Sequence, residues 1–489
     1  KQVRGKEAAA LRQRPPEEEE VRVTPPCTMN GQIASREVNR YRFTARRGQR
    51  LVVALRARQL VPYIADAVPG WFQPVMAIHD ARGREVAFAD DYRFKPDPVI
   101  LFEPPEDGEY VLSIHDSIFR GREDFVYRVT IGQIPFVTLI FPLGCRVGES
   151  PSIAIEGWNI EGARIIMPPT GVAGRGWITA ICKRIHSNPM PFMVDTLPEL
   201  IENETSSPNV RRIRPPVIIN GRIGRPDEWD VYELVGRSNE VIVAEVIARR
   251  LDSPLDSMLK LTDSAGHLIA LNDDWEDLAS GWNTHHADSY IAARLPADGL
   301  YRVHIGDTAR KGGPEHAYRL RISPPRPDFE LRVVPSSAIA RGRDTFSVTV
   351  YGIRKDGFSG PIELSLSHPP PGCTARPATL NLNATQAAVR VSVNVSGEGF
   401  DHVEVLRFQG RAKIGTNVIV REAAPAEDRM QAFLWRHLLP AREFALTHSK
   451  GATAHQLPKP TPPALPPNAP STATASASPG TNRFTKAQV

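Results

Sequence analysis

One pattern of polar, aromatic and glycine residues occurs twice in this chain of 489 residues, and the duplication constrains the fold more than any other feature. The first copy contains Asn30-Gly31, Tyr41, Asp80, Gly83, Asp90-Asp91, Asp97, Asp107-Gly108, Tyr110 and Tyr127-Arg128. The second copy contains Asn220-Gly221, Tyr232, Asp263, Gly266, Asp273-Asp274, Asp288, Asp298-Gly299, Tyr301 and Tyr318-Arg319. A unit this long is a duplicated domain, because the units of solenoid proteins are about 20–50 residues long.

The spacing between the two copies is nearly constant. Matching residues toward the start and the end of the unit, such as Tyr41 and Tyr232, lie 190 or 191 positions apart. In the middle the separation falls to 183 positions, between Asp80 and Asp263, because the first copy carries eight extra residues around 61–74. Whatever the unit does, we expect the protein to do twice, and the recurring residues are more typical of structure than of catalysis.

Short alternating runs separated by glycine-containing turns predict a β-sandwich in each copy. Within 301–305, Tyr301, Val303 and Ile305 alternate with polar residues, so one face of a strand is apolar. An Asp-Gly pair precedes this strand and its counterpart in the first copy, and glycine is the residue that tight β-turns most often need. About six to eight such runs in about 105 residues are the strand density of a sandwich or jelly roll.

The sequence predicts an all-β architecture of tandem β-sandwiches. The two repeats are expected to be jelly-roll-like and to alternate with immunoglobulin-like domains, since the segments 362–366 and 389–393 alternate in the same way. We predict a charged lead-in at 1–27, a first repeat at 28–134, a small immunoglobulin-like connector at 135–212, a second repeat at 213–324, an immunoglobulin-like sandwich at 325–424, a short helix at 425–449 and a disordered tail at 450–489.

The predicted helix rests on its apolar periodicity. The segment 427–439 places four apolar residues on one helical face: Met430, Phe433, Leu434 and Leu438. Pro425 and Pro440 lie on either side of it, as expected for a bounded helix. From about residue 450 onward Pro, Ala, Ser and Thr dominate, which is typical of a disordered segment.

Charge and hydropathy argue against two classes of partner. Sixty Lys and Arg residues against 55 Asp and Glu residues give a formal net charge of +5, and the basic residues are scattered, so nucleic-acid binding is not expected. No run of about eighteen apolar residues occurs, so we expect no membrane span. The chain opens with Lys1 and a polar stretch and shows no secretory signal, but a processed piece would look the same. The missing signal therefore does not argue for the cytoplasm, and a secreted, periplasmic or cell-surface location stays open.

The cysteines do not form a recognisable framework. Cys27, Cys145, Cys182 and Cys373 are too few for a disulfide scaffold and lack the spacing of a metal site. Cys145 and Cys182 fall in one segment, so their pairing stays open beside the alternative of free buried thiols.

Catalytic motifs are missing from the sequence. We find no Gly-x-Ser-x-Gly elbow, no His-Glu-x-x-His pair and no phosphate-binding loop, and the 13 histidines are dispersed. We therefore expect no enzyme in this chain, although a convergent triad is recognised by geometry rather than by sequence order.

An acidic loop makes the second copy the better candidate for a metal site. Asp273, Asp274 and Asp288 carry the hard oxygen ligands that Ca²⁺ prefers, and they would repel one another without a cation if they converged. The alternative is structural, because aspartates often cap backbone N–H groups where strands end.

The first copy has the matching candidates Asp90, Asp91 and Asp97. Here Arg93 and Lys95 are interposed, and we expect them to neutralise the loop without a metal. Calcium is therefore less expected in the first copy than in the second.

Aromatic residues flank the acidic loop of the second copy. Trp275, Trp282 and Tyr290 are candidates for ligand binding, because exposed aromatic rings on sandwich loops stack on sugars or grip a protein. The alternative is that they are partly buried anchors of the loop.

The order of the repeated motifs resembles the bacterial pre-peptidase C-terminal domain. The resemblance covers roughly 28–134 and 213–324, and the segment 141–159 is similar to the connector that follows such domains in large exported bacterial proteins. It implies a jelly-roll-like β-sandwich appended to a secreted protease or a surface protein, with a role in targeting, adhesion or the binding of an insoluble substrate. Some relatives bind calcium.

We predict a non-catalytic, exported or cell-surface protein for adhesion, ligand binding or the positioning of a partner. The expected partners are a polysaccharide, an extracellular protein or a catalytic protein, and two modules on one chain would raise avidity. Two alternatives stay open. One is the accessory C-terminal region of a secreted protease whose catalytic domain is absent from this chain, and the other is a purely structural spacer.

Overall fold

The computed structural model describes residues 20–61, 72–202, 210–276, 285–376, 380–382, 387–396, 402–431, 435–441 and 443–449. In these ranges the regular structure is β-strand, apart from one 3-10 turn at Arg249–Leu251, so the all-β prediction is confirmed. Nothing helical among them has the length and hydropathy that a bilayer crossing needs. The predicted disordered tail lies outside the described residues.

The first repeat is a sandwich of two sheets. Its described strands are β1 (Glu20–Arg22), β2 (Cys27–Gln32), β3 (Asn39–Ala45), β4 (Leu51–Arg56), β5 (Pro74–His79), β6 (Glu85–Ala89), β7 (Val99–Phe102), β8 (Gly108–Asp116) and β9 (Val126–Gly132). One sheet has the order β1-β3-β8-β5-β6 and the other the order β2-β9-β4-β7. Strand β1 lies within the predicted lead-in, where it pairs in parallel with β3.

The second repeat has the same strand order. Its described strands are β17 (Glu199–Ile201), β18 (Val210–Arg212), β19 (Val217–Arg222), β20 (Trp229–Gly236), β21 (Val241–Ile247), β22 (Ser257–Asp263), β23 (Leu268–Asn272), β24 (Trp275–Glu276), β25 (His285–His286), β26 (Tyr290–Arg294), β27 (Gly299–Asp307) and β28 (Ala317–Ser323). The orders β18-β20-β27-β22-β23 and β19-β28-β21-β26 match those of the first repeat strand for strand. The second sheet carries one addition, β17, on the outer edge of β19.

The recurring Asn-Gly and Tyr-Arg pairs meet across two neighbouring strands. In the first repeat Asn30 lies opposite Arg128 and Gly31 opposite Tyr127, and the second repeat has the same register. A Cβ on Gly31 would lie 2.2 Å from the ring of Tyr127, so only glycine lets the ring pass. The hydroxyl of that tyrosine lies 2.7 Å from the hydroxyl of Tyr41, and the equivalent pair in the second repeat is 2.6 Å apart. These recurring residues therefore shape the core.

The connector between the repeats is a small β-domain. Its strands are β10 (Phe136–Phe141), β11 (Gly144–Arg146), β12 (Ala154–Trp158), β13 (Arg164–Ile166), β14 (Gly174–Cys182), β15 (Ile185–His186) and β16 (Met190–Asp195). Its core includes Phe192 and Ile178 and is completed by Leu251 and Ala317 of the second repeat, so the two modules share a packed interface. All four cysteines of the chain are free thiols, which settles the pairing of Cys145 and Cys182 left open above.

The C-terminal module is a larger sandwich. Its described strands are β29 (Asp328–Val334), β30 (Ser337–Arg341), β31 (Asp344–Lys355), β32 (Ile362–Ser367), β33 (Cys373–Arg376), β34 (Leu380–Leu382), β35 (Ala388–Val395), β36 (Glu404–Val405), β37 (Arg407–Ile414), β38 (Asn417–Gln431), β39 (Trp435–Pro440) and β40 (Ala445–Ser449). These strands form a nine-stranded sheet and a three-stranded sheet of order β30-β40-β36. Buried aromatic residues such as Phe329 and Phe444 lie in its core.

The predicted C-terminal helix is wrong. Its residues continue the long strand β38, which pairs antiparallel with β39 from Ala426 opposite Pro440 to Gln431 opposite Trp435. Leu438 and its neighbour Leu439 are both buried, so the strand is covered on both faces, and its apolar residues no longer alternate. Phe433 and Leu434 lie outside the described residues. Pairing with neighbouring strands outweighs the local helical periodicity here.

Candidate functional site

The aromatic residues of the second repeat form a pair near the acidic loop. Trp275 is 41% exposed, and its ring centroid lies 4.5 Å from that of Tyr290 at an interplanar angle of 38°. Asn272 fixes the loop, because its side-chain amide donates to the carbonyl of Asp274 and its oxygen accepts from the backbone N–H of Tyr290, both at 2.7 Å. The third candidate, Trp282, lies outside the described residues. The structure thus brings two of the three predicted ligand-binding residues together.

Tyr290 also ties this surface to the C-terminal module. Its hydroxyl donates to Asp356 at 2.8 Å, and the same carboxylate binds the guanidinium of Arg321 at 2.7 Å. Arg321 reaches Glu245 as well. Burial opposes the ionisation of Glu245, but the charges of Arg250, Arg321 and Lys355 outweigh it and hold its pKa at about 2. The aromatic pair therefore packs on a buried network of ion pairs. This network joins the second repeat to the C-terminal module.

Asp288 has a structural role in the second repeat. Its side chain is fully buried, and its two oxygens accept hydrogen bonds from the backbone N–H groups of Ala248, Arg249 and Arg250, at 2.6 to 3.1 Å. The guanidinium of Arg250 donates to it at 2.7 Å as well. Asp288 thus caps the 3-10 turn at Arg249–Leu251, as the structural alternative for these aspartates predicts.

The acidic residues do not form a metal cage in the part of the chain that the structure describes. Asp273 and Asp274 are exposed, whereas Asp288 is buried. No group of three or more His, Cys, Asp or Glu side chains with a geometry able to hold a metal occurs among the described residues. Calcium binding by these loops stays a prediction.

Asp97 has the same capping role in the first repeat. Its carboxylate accepts from the backbone N–H groups of Ala57, Arg58 and Gln59, at 2.7 to 3.1 Å. Burial raises the pKa of Asp97, although these hydrogen bonds act in the opposite direction. Asp90 and Asp91 remain exposed, and burial together with the charge of Asp90 raises the pKa of Asp91.

Arg93 and Lys95 of the first repeat contact the second repeat. Lys95 forms an ion pair with Asp252 of the second repeat, and Arg93 donates to the backbone carbonyl of the same residue at 3.5 Å. Phe94 lies between these two residues in the sequence and contacts a cation of the second repeat. The guanidinium carbon of Arg249 lies 4.4 Å from the centroid of the Phe94 ring. The loop of the first repeat is therefore bound to the second repeat, and we call these contacts of residues 93–95 the clamp between the repeats. The matching loop of the second repeat carries the aromatic pair instead.

One acidic cluster around two buried tyrosines was not found from the sequence. In the second repeat Tyr318 donates to Asp230 at 2.7 Å, and Glu202 lies 3.2 to 3.3 Å from the hydroxyls of Tyr232 and Tyr318. Burial, and then the charge of Glu202, raises the pKa of Asp230 to about 8. Burial also raises the pKa of Glu202.

A comparison of equivalent positions in the two repeats could have pointed to this cluster. At the offset of 191 that also relates Tyr41 to Tyr232, Asp230 corresponds to Asn39, whose amide donates to the hydroxyl of Tyr127 at 2.9 Å. A neutral amide in one copy and a carboxylate in the other mark a place where the two copies differ in chemistry.

Comparison with known proteins gives weak structural likenesses only. No family model and no curated protein matches the chain. A solved pre-peptidase C-terminal domain of a collagenase from Bacillus anthracis is 17% identical, over 25% of this chain and 100% of that one, with a TM-score of 0.18. A DUF4785 family protein from Legionella pneumophila is 12% identical over 46% of this chain and 66% of its own, with a TM-score of 0.17. The S-layer protein rSbsC is 10% identical over 78% of this chain and 53% of its own, with a TM-score of 0.12. Similarity at these scores carries no functional conclusion.

Proposed function

We propose that the chain is a non-catalytic, exported or cell-surface protein that binds a ligand through the Trp275–Tyr290 pair and positions it relative to a partner. The observation that carries the proposal is the contrast between the two equivalent loops. The loop of the first repeat is used to clamp the second repeat, while that of the second repeat leaves Trp275 41% exposed beside the exposed carboxylates of Asp273 and Asp274. An exposed indole packed against a tyrosine ring is a surface suited to a sugar ring or to a protein side chain.

The recurring residues support a non-catalytic role. Asp97 and Asp288 cap turns, and the paired tyrosines hydrogen-bond to each other in the core. These side chains are engaged by the fold itself, which supports a structural role for them. Export and the supporting role are inferred from the motif order that resembles the pre-peptidase C-terminal domain.

Binding of the full chain to a panel of immobilised polysaccharides and extracellular proteins tests the proposal. We expect retention on at least one matrix, and a loss of about tenfold in affinity for Trp275→Ala, since a buried aromatic anchor contributes on the order of 1.4 kcal/mol or more. Trp177→Ala is the matched control, because Trp177 is 50% exposed but lies in the connector.

Other outcomes separate the alternatives. No retention on any matrix favours the purely structural spacer, for which the clamp between the repeats and the Arg326–Asp195 pair at 2.9 Å are the supporting contacts. A longer reading frame with a peptidase upstream favours the accessory region of a secreted protease. Turnover of peptide or glycoside substrates by the purified chain would overturn the non-catalytic proposal.

Calcium is tested separately by melting curves with calcium and with a chelator. A specific site raises the transition by mass action. If Asp273 and Asp274 supply ligands, Asp273→Asn abolishes that rise while Asp90→Asn leaves it unchanged. Equal curves for the wild-type protein would remove the calcium prediction.

A further inference from the structure

The outer edge of β19 in the second repeat is covered by an acidic strand. Strand β17 pairs with it in parallel, with Glu199 opposite Ile218 and Ile201 opposite Asn220. The carboxylate of Glu199 binds Arg319 through both guanidinium nitrogens, at 2.9 and 2.7 Å, and accepts from the amide of Asn220 at 2.8 Å. Arg319 is only 1% exposed beneath this cover.

A second glutamate completes the docking of β17. The backbone N–H of Glu202 donates to the carbonyl of Asn220 at 2.8 Å. Its carboxylate accepts from the backbone N–H of Arg222 at 3.2 Å and from the hydroxyl of Tyr232 at 3.2 Å. The recurring Asn-Gly and Tyr-Arg residues thus form a receptor for an extended segment with two glutamates three residues apart.

In the part of the first repeat that the structure describes, the same receptor has no covering strand. Strand β2 corresponds to β19, and within the described ranges it pairs with β9 alone. Asn30 and Arg128, which correspond to the buried Asn220 and Arg319, are both exposed, and Arg128 donates to Asn30 at 3.2 Å. An edge strand with free backbone groups is a template for the addition of another strand.

Charge at this edge selects the segment that fits. Exposed Arg56 lies directly opposite Arg128 on the neighbouring strand, where the second repeat has Ile247. Two arginines at opposing positions of adjacent strands favour a carboxylate at the position that Glu199 occupies in the second repeat. At the position of Asp230 the first repeat has Asn39. A second glutamate on the bound segment would therefore meet the neutral amide of Asn39, whereas Glu202 meets the carboxyl group of Asp230.

We propose that the outer edge of β2 binds an extended acidic peptide segment by β-strand addition, in parallel with β2, with the first acidic side chain on Arg128 and Arg56 and a second one three residues later. Backbone pairing supplies affinity and the two carboxylates supply specificity, as in other strand-addition complexes. The site is on the opposite module from the Trp275–Tyr290 pair and does not depend on it.

The probe is a capped, fluorescent peptide with the sequence of residues 197–202, titrated with the full chain and followed by anisotropy. We expect saturable binding that weakens at least tenfold for Arg128→Glu and for a peptide with both glutamates changed to glutamine. Arg82→Glu is the matched control, since Arg82 is exposed on a turn of the other sheet, and its binding should equal that of the wild-type protein.

A second readout locates the bound peptide. Hydrogen exchange of the backbone amides of Thr28 and Asn30 should slow when the peptide is added, while the amides of β6 keep their rates. The proposal is overturned by an absence of binding at millimolar peptide, by equal affinity of Arg128→Glu and wild type, or by protection that appears at β19 and not at β2.

Discussion

The carboxyl group of Asp230 offers the sharpest test of how the two repeats differ. Its pKa lies at about 8 in the folded protein against 3.8 for an unperturbed aspartate, because of burial and the neighbouring charge of Glu202. The folded state therefore binds the proton more tightly, and the stability of the second repeat should fall as the pH rises from about 4 to about 8 and then level off. The Asp230→Asn variant places the neutral amide of the first repeat at this position and should remove that loss.

The size of the effect follows from the shift. Each pH unit by which folding raises the pKa is equivalent to about 1.4 kcal/mol of unfolding free energy. The rise from 3.8 to about 8 therefore limits the loss of unfolding free energy to at most about 5–6 kcal/mol. Glu202 shares the titration and Asp230 is only half-buried, so we expect about 2–4 kcal/mol in practice, or about 10 °C or more in the melting temperature of a domain of about 100 residues.

Thermal unfolding of the wild-type protein and Asp230→Asn at pH 5 and at pH 8.5 measures this difference. The stabilisation should be large at pH 8.5 and much smaller at pH 5. The reverse change in the first repeat, Asn39→Asp, should destabilise more at pH 8.5 than at pH 5. An equal shift at both pH values, or a loss of stability for Asp230→Asn at pH 8.5, would refute the reasoning.

Four further substitutions probe the contacts that stabilise the modules. Lys95→Glu replaces the ion pair between the repeats with a repulsion, and should cost about 1 kcal/mol in a denaturation experiment, less at high salt. Asp97→Ala and Asp288→Ala each leave three backbone donors without their acceptor, and each should lower the unfolding free energy by about 3 kcal/mol whether or not calcium is present. Gly31→Ala forces a methyl group into a tyrosine ring and should cost about 1–3 kcal/mol by thermal melting, whereas Gly108→Ala meets open space and should not. A stable Gly31→Ala variant, or calcium rescue of either aspartate variant, would contradict these contacts.

The parts of the fold with a period of two were readable from the sequence. The alternation of Tyr301, Val303 and Ile305 predicts strand β27, and those side chains are buried in the core of the second repeat. The helix predicted at 427–439 is wrong, although the spacing of its apolar residues fits a helix. The residues just before this segment pair with β37 and β29, and strand β38 continues from them into the segment. The local periodicity of a sequence carries no information about strand-pairing partners that lie far away in the chain.

The candidate site was readable only in part. The sequence marks Asp288 and Asp97 but leaves a calcium ligand and a turn cap both open, and the decision rests on backbone N–H groups about 40 residues upstream. Glu202 directly follows strand β17, which has no counterpart in the described part of the first repeat, so no internal comparison pointed to it. The clamp between the repeats needs the position of Asp252 in space, which no motif encodes.

Amide hydrogen exchange across the whole chain tests the shared scaffold most directly. The account predicts matched protection in equivalent strands, above all β8 with β27 and β9 with β28, and slow exchange of the capped amides at 57–59 and 248–250 in the absence of any metal. Fast exchange of those amides in one repeat, or protection at unrelated positions in the two repeats, would contradict the claim that one fold occurs twice.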